Sequence, residues 1–277
     1  MSNLDTSMTL PQWVSFLESA SLPVLQNSLA DLAMLRQDEE QLSALNVAQV
    51  ILRDPMLTAH LLRYLQQHRS RHQQAEIVEV EQAVMMLGMN NFFDHVLPGL
   101  VAVEEALAGF PDALKNLVRV LGRAEKAAEY GRDWAIRLND RRYAEVYVAA
   151  LLHDLAEMLM WCFAPQVMLT IRAAQEQDKT LRSQLIQEQV LGFTLVALQR
   201  ELAINWGLPE LLLTLMGEAA GHLPRVRNVA LAVNLARHSA NGWDDAALPD
   251  DYTDIAQLLR MTPQEVRHLV IPGRMVK

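Results

Sequence analysis

The sequence predicts an all-α protein, on three observations. Apolar residues recur at spacings of three and four almost throughout, and alternating β-branched runs are missing. The 11 glycines and 11 prolines fall mainly at segment ends, where they delimit elements instead of interrupting them. At 277 residues the chain has enough length for a substantial core.

The elements follow in order from their boundary residues. Asp54-Pro55 opens one helix, with Asp as N-cap and Pro in the first turn, and MLTAHLLRYLQQH continues it. Gly88 closes EVEQAVMMLG as a C-terminal cap. Phe110-Pro111-Asp112 separates two helices. Thr180 is read as the cap of LRSQLIQEQVLG and Thr194 as the cap of LVALQRELAINW. Gly207-Leu208-Pro209 forms a tight joint, and Thr262-Pro263-Gln264-Glu265 starts a short last helix with capping-box chemistry. About a dozen helices joined by short loops result. No repeat or low-complexity linker divides them. One unit is expected, with an N-terminal helical lobe at 1–109, a core at 110–240 and a C-terminal helical extension at 241–277.

Composition narrows the function. Hydrophobic residues make up 51%, but charged and polar residues break the apolar runs before they reach bilayer-spanning length, so no membrane partner is expected. MSNLDTSMTLPQW has no basic stretch followed by an apolar core, so no secretory leader is expected. The net charge of −9 opposes nonspecific binding to nucleic acid or anionic lipid. The densest basic cluster noted, Arg69 to Arg71, is short and lacks aromatic neighbours. Cys162, the single cysteine, sits in MLMWCFAP and reads as a buried structural thiol, which fits a reducing cytoplasm. Met85, Met86, Met89, Met158 and Met160 read as core filling.

The chemistry centres on His153-Asp154, set in the oily run LLHDLAEMLMWCF. Adjacent His and Asp on one helix point about 100° apart, and both can reach a metal beside the helix. A hydrolytic metal needs at least three protein ligands, so the others must come from elsewhere. His68 and His72 lie among arginines and glutamines, and His60 reads as a core-edge histidine. His222, after Gly221 in a loop, is the one retained as a distant ligand. No nucleophile elbow, P-loop or dinucleotide fingerprint is present.

Five stretches, in order, carry a resemblance: LPVLQNSLADLAML, NVAQVILRDPMLTAHLLRYLQ, VEQAVMMLGMNNF, AEVYVAALLHDLAEMLM and EQVLGFTLVALQRELAINWGLPE. Together they resemble the HDOD domain, the HD-related output domain of bacterial signalling proteins, over residues of about 20 to 240. The resemblance implies a multi-helical bundle in which an N-terminal helical lobe packs on an HD-like core. It also implies a regulatory role exercised through protein contacts. Departures from the pattern bear on catalysis. Thr194 and Leu195 follow Gly192-Phe193, where the family commonly carries a histidine. Gly217, Glu218 and Ala219 stand where a His-His pair is expected. LVRVLGRAEKAAEYGRDW contains no histidine, Gln66-Gln67 replaces an Asn-Ser pair, and the Gly-Tyr-Pro signature of HD-GYP enzymes is missing.

Of the related phosphohydrolases' ligands, then, only His153 and Asp154 remain. The expectation is a non-catalytic module without metal or cofactor, in the cytoplasm, acting on a signalling protein partner in trans. The doublet is expected to be held by hydrogen bonds, Asp154 to Arg123 or Arg132 and His153 to Glu157. Two alternatives stand beside it: a metal-dependent phosphohydrolase of nucleotides or cyclic dinucleotides, and a nucleotide sensor without turnover.

Overall fold

Side-chain caps and prolines place the helix starts. Asp54 accepts from the N–H groups of Met56 (3.0 Å) and Leu57 (3.1 Å), Thr194 from Ala197 (3.1 Å), and Ser43 from Asn46 (3.2 Å). At the last helix, Thr262 and Glu265 exchange the reciprocal bonds of a capping box. The structure, a computed structural model, describes residues 8–68, 79–178, 182–217 and 221–271. Thr180 lies outside them, as do His72 and Arg69 to Arg71.

Among the described residues the chain is helical, and the isolated bridge between Val24 and Ala102 is the one extended pairing. In order the helices are α1 (Leu10–Ser19), α2 (Gln26–Gln37), α3 (Ala44–Leu52), α4 (Pro55–Gln67), α5 (Val80–Leu87) and α6 (Met89–Asn91). A π-helical turn, Phe92–Val96, comes next. Then follow α7 (Val103–Ala106), α8 (Pro111–Arg137), α9 (Tyr143–Leu151), α10 (Leu155–Phe163), α11 (Pro165–Gln177), α12 (Ser183–Leu191) and α13 (Leu195–Asn205). The last four are α14 (Glu210–Leu215), α15 (Pro224–Ser239), α16 (Leu248–Leu259) and α17 (Pro263–Val270). The all-α expectation holds. Gly88 ends α5 at φ +82°, as its C-terminal position requires.

Two compact units share the chain: Met1–Leu121 with Asp154–Leu208, and Gly122–His153 with Pro209–Lys277. In the first, α3 packs on α2, α4 and α5, while α10 packs on α4, α11 and α13, and α1 also rests on α13. Leu17, Ile51, Met56, Leu57, Leu61 and Leu198 fill its core. In the second, α15 is central and touches α9, α14 and α16, and α17 closes on α16. Trp134, Leu235, Ile255 and Val266 are fully enclosed there. Gly131 brings α8 close to α9, because a Cβ at this position would lie 3.2 Å from Val146 Cγ1.

The stretch Tyr143–Phe163 is apolar and long enough, by composition alone, to cross a membrane, but 83% of it is buried inside the protein. It is also two helices, α9 and α10, separated by a turn. Two expectations are corrected here. His153 and Asp154 lie in that turn and not on one helix. Met85 and Met86 are 57% exposed, because Val80, Ala83 and Val84 take the inward stripe of α5. Met158 and Met160 do fill the core.

Candidate functional site

The turn that carries the doublet is built from the ends of its two helices. At the end of α9, Leu152 N–H donates to Val148 O (3.0 Å) and His153 N–H to Ala150 O (3.4 Å). Asp154 occupies the N-cap position of α10, and its carbonyl accepts from Met158 N–H at 3.1 Å. Its carboxylate does not cap the helix. Gln199 of α13 does so instead, its Oε1 accepting from Ala156 N–H at 2.7 Å. At 4% exposure the Gln199 amide is too enclosed to rely on water, so this bond is integral to the core. The arrangement releases the Asp154 side chain from local capping. His153 and Asp154 are both half-buried.

The residues expected around the doublet have partners of their own. Glu157 Oε1 accepts from Trp161 Nε1 at 3.3 Å, one turn further along α10. The Arg132 guanidinium lies 5.3 Å from the centre of the Tyr147 ring, a cation–π contact. Arg123 is half-buried on α8.

The other described histidines are placed as follows. His60 Nδ1 faces Arg63 Nη2 at 3.3 Å, and its Nε2 faces Val96 O at 2.9 Å. Arginine only donates, so Nδ1 accepts and Nε2 carries the proton given to Val96. Burial pushes this ring down to about 4, opposed by the Val96 bond and assisted by Arg63. His68 bonds Tyr64 O at 2.8 Å and stacks on the Tyr64 ring at 4.0 Å. His238 Nδ1 meets Asp251 Oδ2 at 2.6 Å. His95, His222 and His268 are exposed. Among the described residues, no group of three or more His, Cys, Asp or Glu side chains is gathered closely enough to hold a metal ion.

A second polar centre, of which sequence reasoning read only the Asp54 cap, lies at the start of α4 and along it. Asp54 is fully buried, and besides capping α4 it accepts from Leu25 N–H at 2.8 Å, the residue before α2. Burial pushes its carboxyl up, against the pull of the Leu25, Leu57, Ser28 and Met56 bonds. Arg63 donates to Leu17 O at 2.7 Å and lies over the Trp206 ring at 5.2 Å. Burial lowers its guanidinium to about 10. Asp-Pro, the α4 arginine and the Trp-Gly-Leu-Pro joint therefore serve the packing of this unit.

Comparison with known proteins places the chain. The HDOD domain matches residues 22–220, and the chain belongs to that family. The MmoQ response regulator of Methylococcus capsulatus str. Bath is similar with a TM-score of 0.71, over 92% of this chain and 99% of that one, at 16% identity. A virulence factor from Campylobacter jejuni subsp. jejuni is similar with a TM-score of 0.66, over 91% of this chain and 88% of that one, at 17% identity. At these identities the likeness is one of fold. Among curated proteins none matches.

Proposed function

We propose that this protein is a non-catalytic signal-transduction module of the HDOD family that works through protein–protein contacts. The observation that carries the reading is the donor set. His153 and Asp154 stand in a turn, and no set of three metal-binding side chains forms among the described residues. Two ligands do not hold a hydrolytic metal or lower the pKa of a water bound to it. Other histidines are engaged elsewhere: His60 with Val96 and Arg63, His68 with Tyr64, and His238 with Asp251. Leu195 stands where the family commonly carries a histidine. In this reading the doublet is an inherited polar element, kept by hydrogen bonding and not by a metal. The response-regulator name of MmoQ agrees with a signalling role. The partner is a separate protein, met in the cytoplasm.

Metal analysis tests the proposal. Purified protein is expected to hold well under one equivalent of manganese, iron or zinc, and not to hydrolyse a cyclic dinucleotide or a nucleotide monoester. Stoichiometric metal that disappears in His153→Ala, with hydrolysis that disappears alongside it, would establish the phosphohydrolase alternative instead.

A further inference from the structure

The tip between α8 and α9 has the opposite character to the rest of the chain. Residues 132–143 hold four arginines against two aspartates, in a protein whose net charge is −9. The same tip exposes three large apolar side chains, Ile136 (52%), Leu138 (36%) and Tyr143 (45%). Burial in the protein's own core would have been the ordinary use for them. Arg137 and Arg142 are exposed and partly neutralised, by Asp133 at 2.7 Å and Glu145 at 3.0 Å. Arg141 is exposed and has no ion pair among the described residues.

The tip is also rigid. Asp140 N–H donates to Ala135 O at 2.9 Å, closing the end of α8, and Asn139 turns the chain at φ +57°. The Asp140 carboxylate takes a two-pronged bond from Arg225 of α15 at 2.6 and 2.7 Å, and also accepts from Arg142 N–H at 2.9 Å. The Arg225 guanidinium holds this carboxyl below the usual range. Little backbone conformational entropy remains to be lost when another molecule binds here.

We propose that the α8–α9 tip is a docking surface for an acidic protein segment that carries an apolar anchor. Charge complementarity selects this occupant. A second copy placing the same tip on this one would set arginine against arginine. A phosphate backbone meets two arginines here without an ion pair among the described residues, Arg141 and Arg132, the second lying over the Tyr147 ring, and is repelled by the chain's overall field. Anionic membrane recognition uses about 4–8 clustered basic residues, and of the tip's four arginines Arg137 and Arg142 are already ion-paired. A segment with a few carboxylates and one apolar side chain matches both features, with the arginines steering encounter and the apolar group supplying residence time. This inference rests on the protein-contact reading above and names the surface that serves it.

A benzophenone residue placed at Tyr143 in the full-length protein, in its native cells, tests the idea. A parallel variant carries it at the exposed Met86 of the other unit. The expected adduct at Tyr143 is a protein segment bearing several Asp or Glu residues beside an apolar side chain. That segment, synthesised as a peptide, is expected to bind the purified protein about tenfold more weakly after Arg141→Glu and after Leu138→Asp. Both variants are expected to keep the parent's circular dichroism and melting curve. Absence of a protein adduct at Tyr143, or an adduct to lipid, nucleic acid, a second copy or a non-acidic segment, overturns the proposal. Capture at Met86 alone overturns it and leaves the protein-contact reading standing, whereas His153-dependent hydrolysis removes that reading itself.

Discussion

Asp54→Ala is expected to destabilise the first unit by about 4 kcal/mol. Its carboxylate is fully buried and takes three backbone N–H groups, from Leu25 at 2.8 Å, Met56 at 3.0 Å and Leu57 at 3.1 Å. Losing the cap of α4 costs about 1 kcal/mol. The donors left behind face an apolar interior, and each unsatisfied buried group costs about 1–3 kcal/mol. A loss of this size is a large share of the ~5–15 kcal/mol that holds a typical domain. Asp54→Asn keeps one oxygen for the α4 amides but turns an NH2 group toward Leu25 N–H, so about 1–2 kcal/mol is expected. Urea unfolding measures both, with hydrogen exchange at the Leu25, Met56 and Leu57 amides to localise the effect. With an m-value of ~2 kcal/mol/M, the Asp54→Ala midpoint falls by ~2 M and the Asp54→Asn midpoint by less than ~1 M. A fall of under ~0.5 M for Asp54→Ala, or equal falls for the two variants, would refute the reasoning.

Three further outcomes follow from groups already described. His60 is held down to about 4, so the folded state disfavours its protonation; its contribution is present above pH ~6.5 and is lost as pH falls toward 4. Relative to His60→Gln, the parent is therefore expected to lose about 3 kcal/mol between pH 7 and pH 4, and a pH-independent difference in urea midpoints would exclude this. Gly207 has φ +58°, and a Cβ there would lie 2.6 Å from Gln66 Oε1. Gly207→Ala is expected to cost ~1–2 kcal/mol in backbone strain plus the clash. Adding Gln66→Ala should recover only the second part, and full recovery would show that the backbone is not strained. Burial pushes the Cys162 thiol up, so native protein at pH 8 is expected to resist a thiol reagent over hours and to label promptly in urea. Prompt labelling of the native protein would mean that this core opens.

The helix starts were legible because their chemistry is local. Asp54, Thr194 and Thr262 each act within three residues of themselves, and the structure finds each one capping. The break at His153-Asp154 was not legible, because residues 143–163 contain neither an internal glycine nor a proline to signal it. The bond that caps α10 after the turn comes from the amide of Gln199, a residue 43 positions from its partner Ala156. A glutamine between Leu198 and Leu202, on an otherwise apolar face of α13, was the available clue. Met85 and Met86 were misplaced for a different reason. Positions 85 and 86 fall outside the stripe that Val80, Ala83 and Val84 form on this helix, so neither methionine faces inward. The second role of Asp54, accepting from Leu25, could not be inferred either, since an N-cap carboxylate has a spare oxygen that only the tertiary structure assigns.

The order in which the chain is spent on its two units bears on its synthesis. The first unit is complete only when Asp154–Leu208 joins Met1–Leu121, with α1 waiting for α13. The second begins at Gly122, inside α8, and is finished by the C-terminal helices. A ribosome therefore releases half of one core, then part of the other, before either can close. Late closure of the first unit leaves apolar α3, α4 and α5 without the α10 and α13 part of their core through much of translation, a state that invites chaperone binding or aggregation. It also makes the protein a poor substrate for dissection, because a cut at any single residue before Leu208 divides at least one of the two cores.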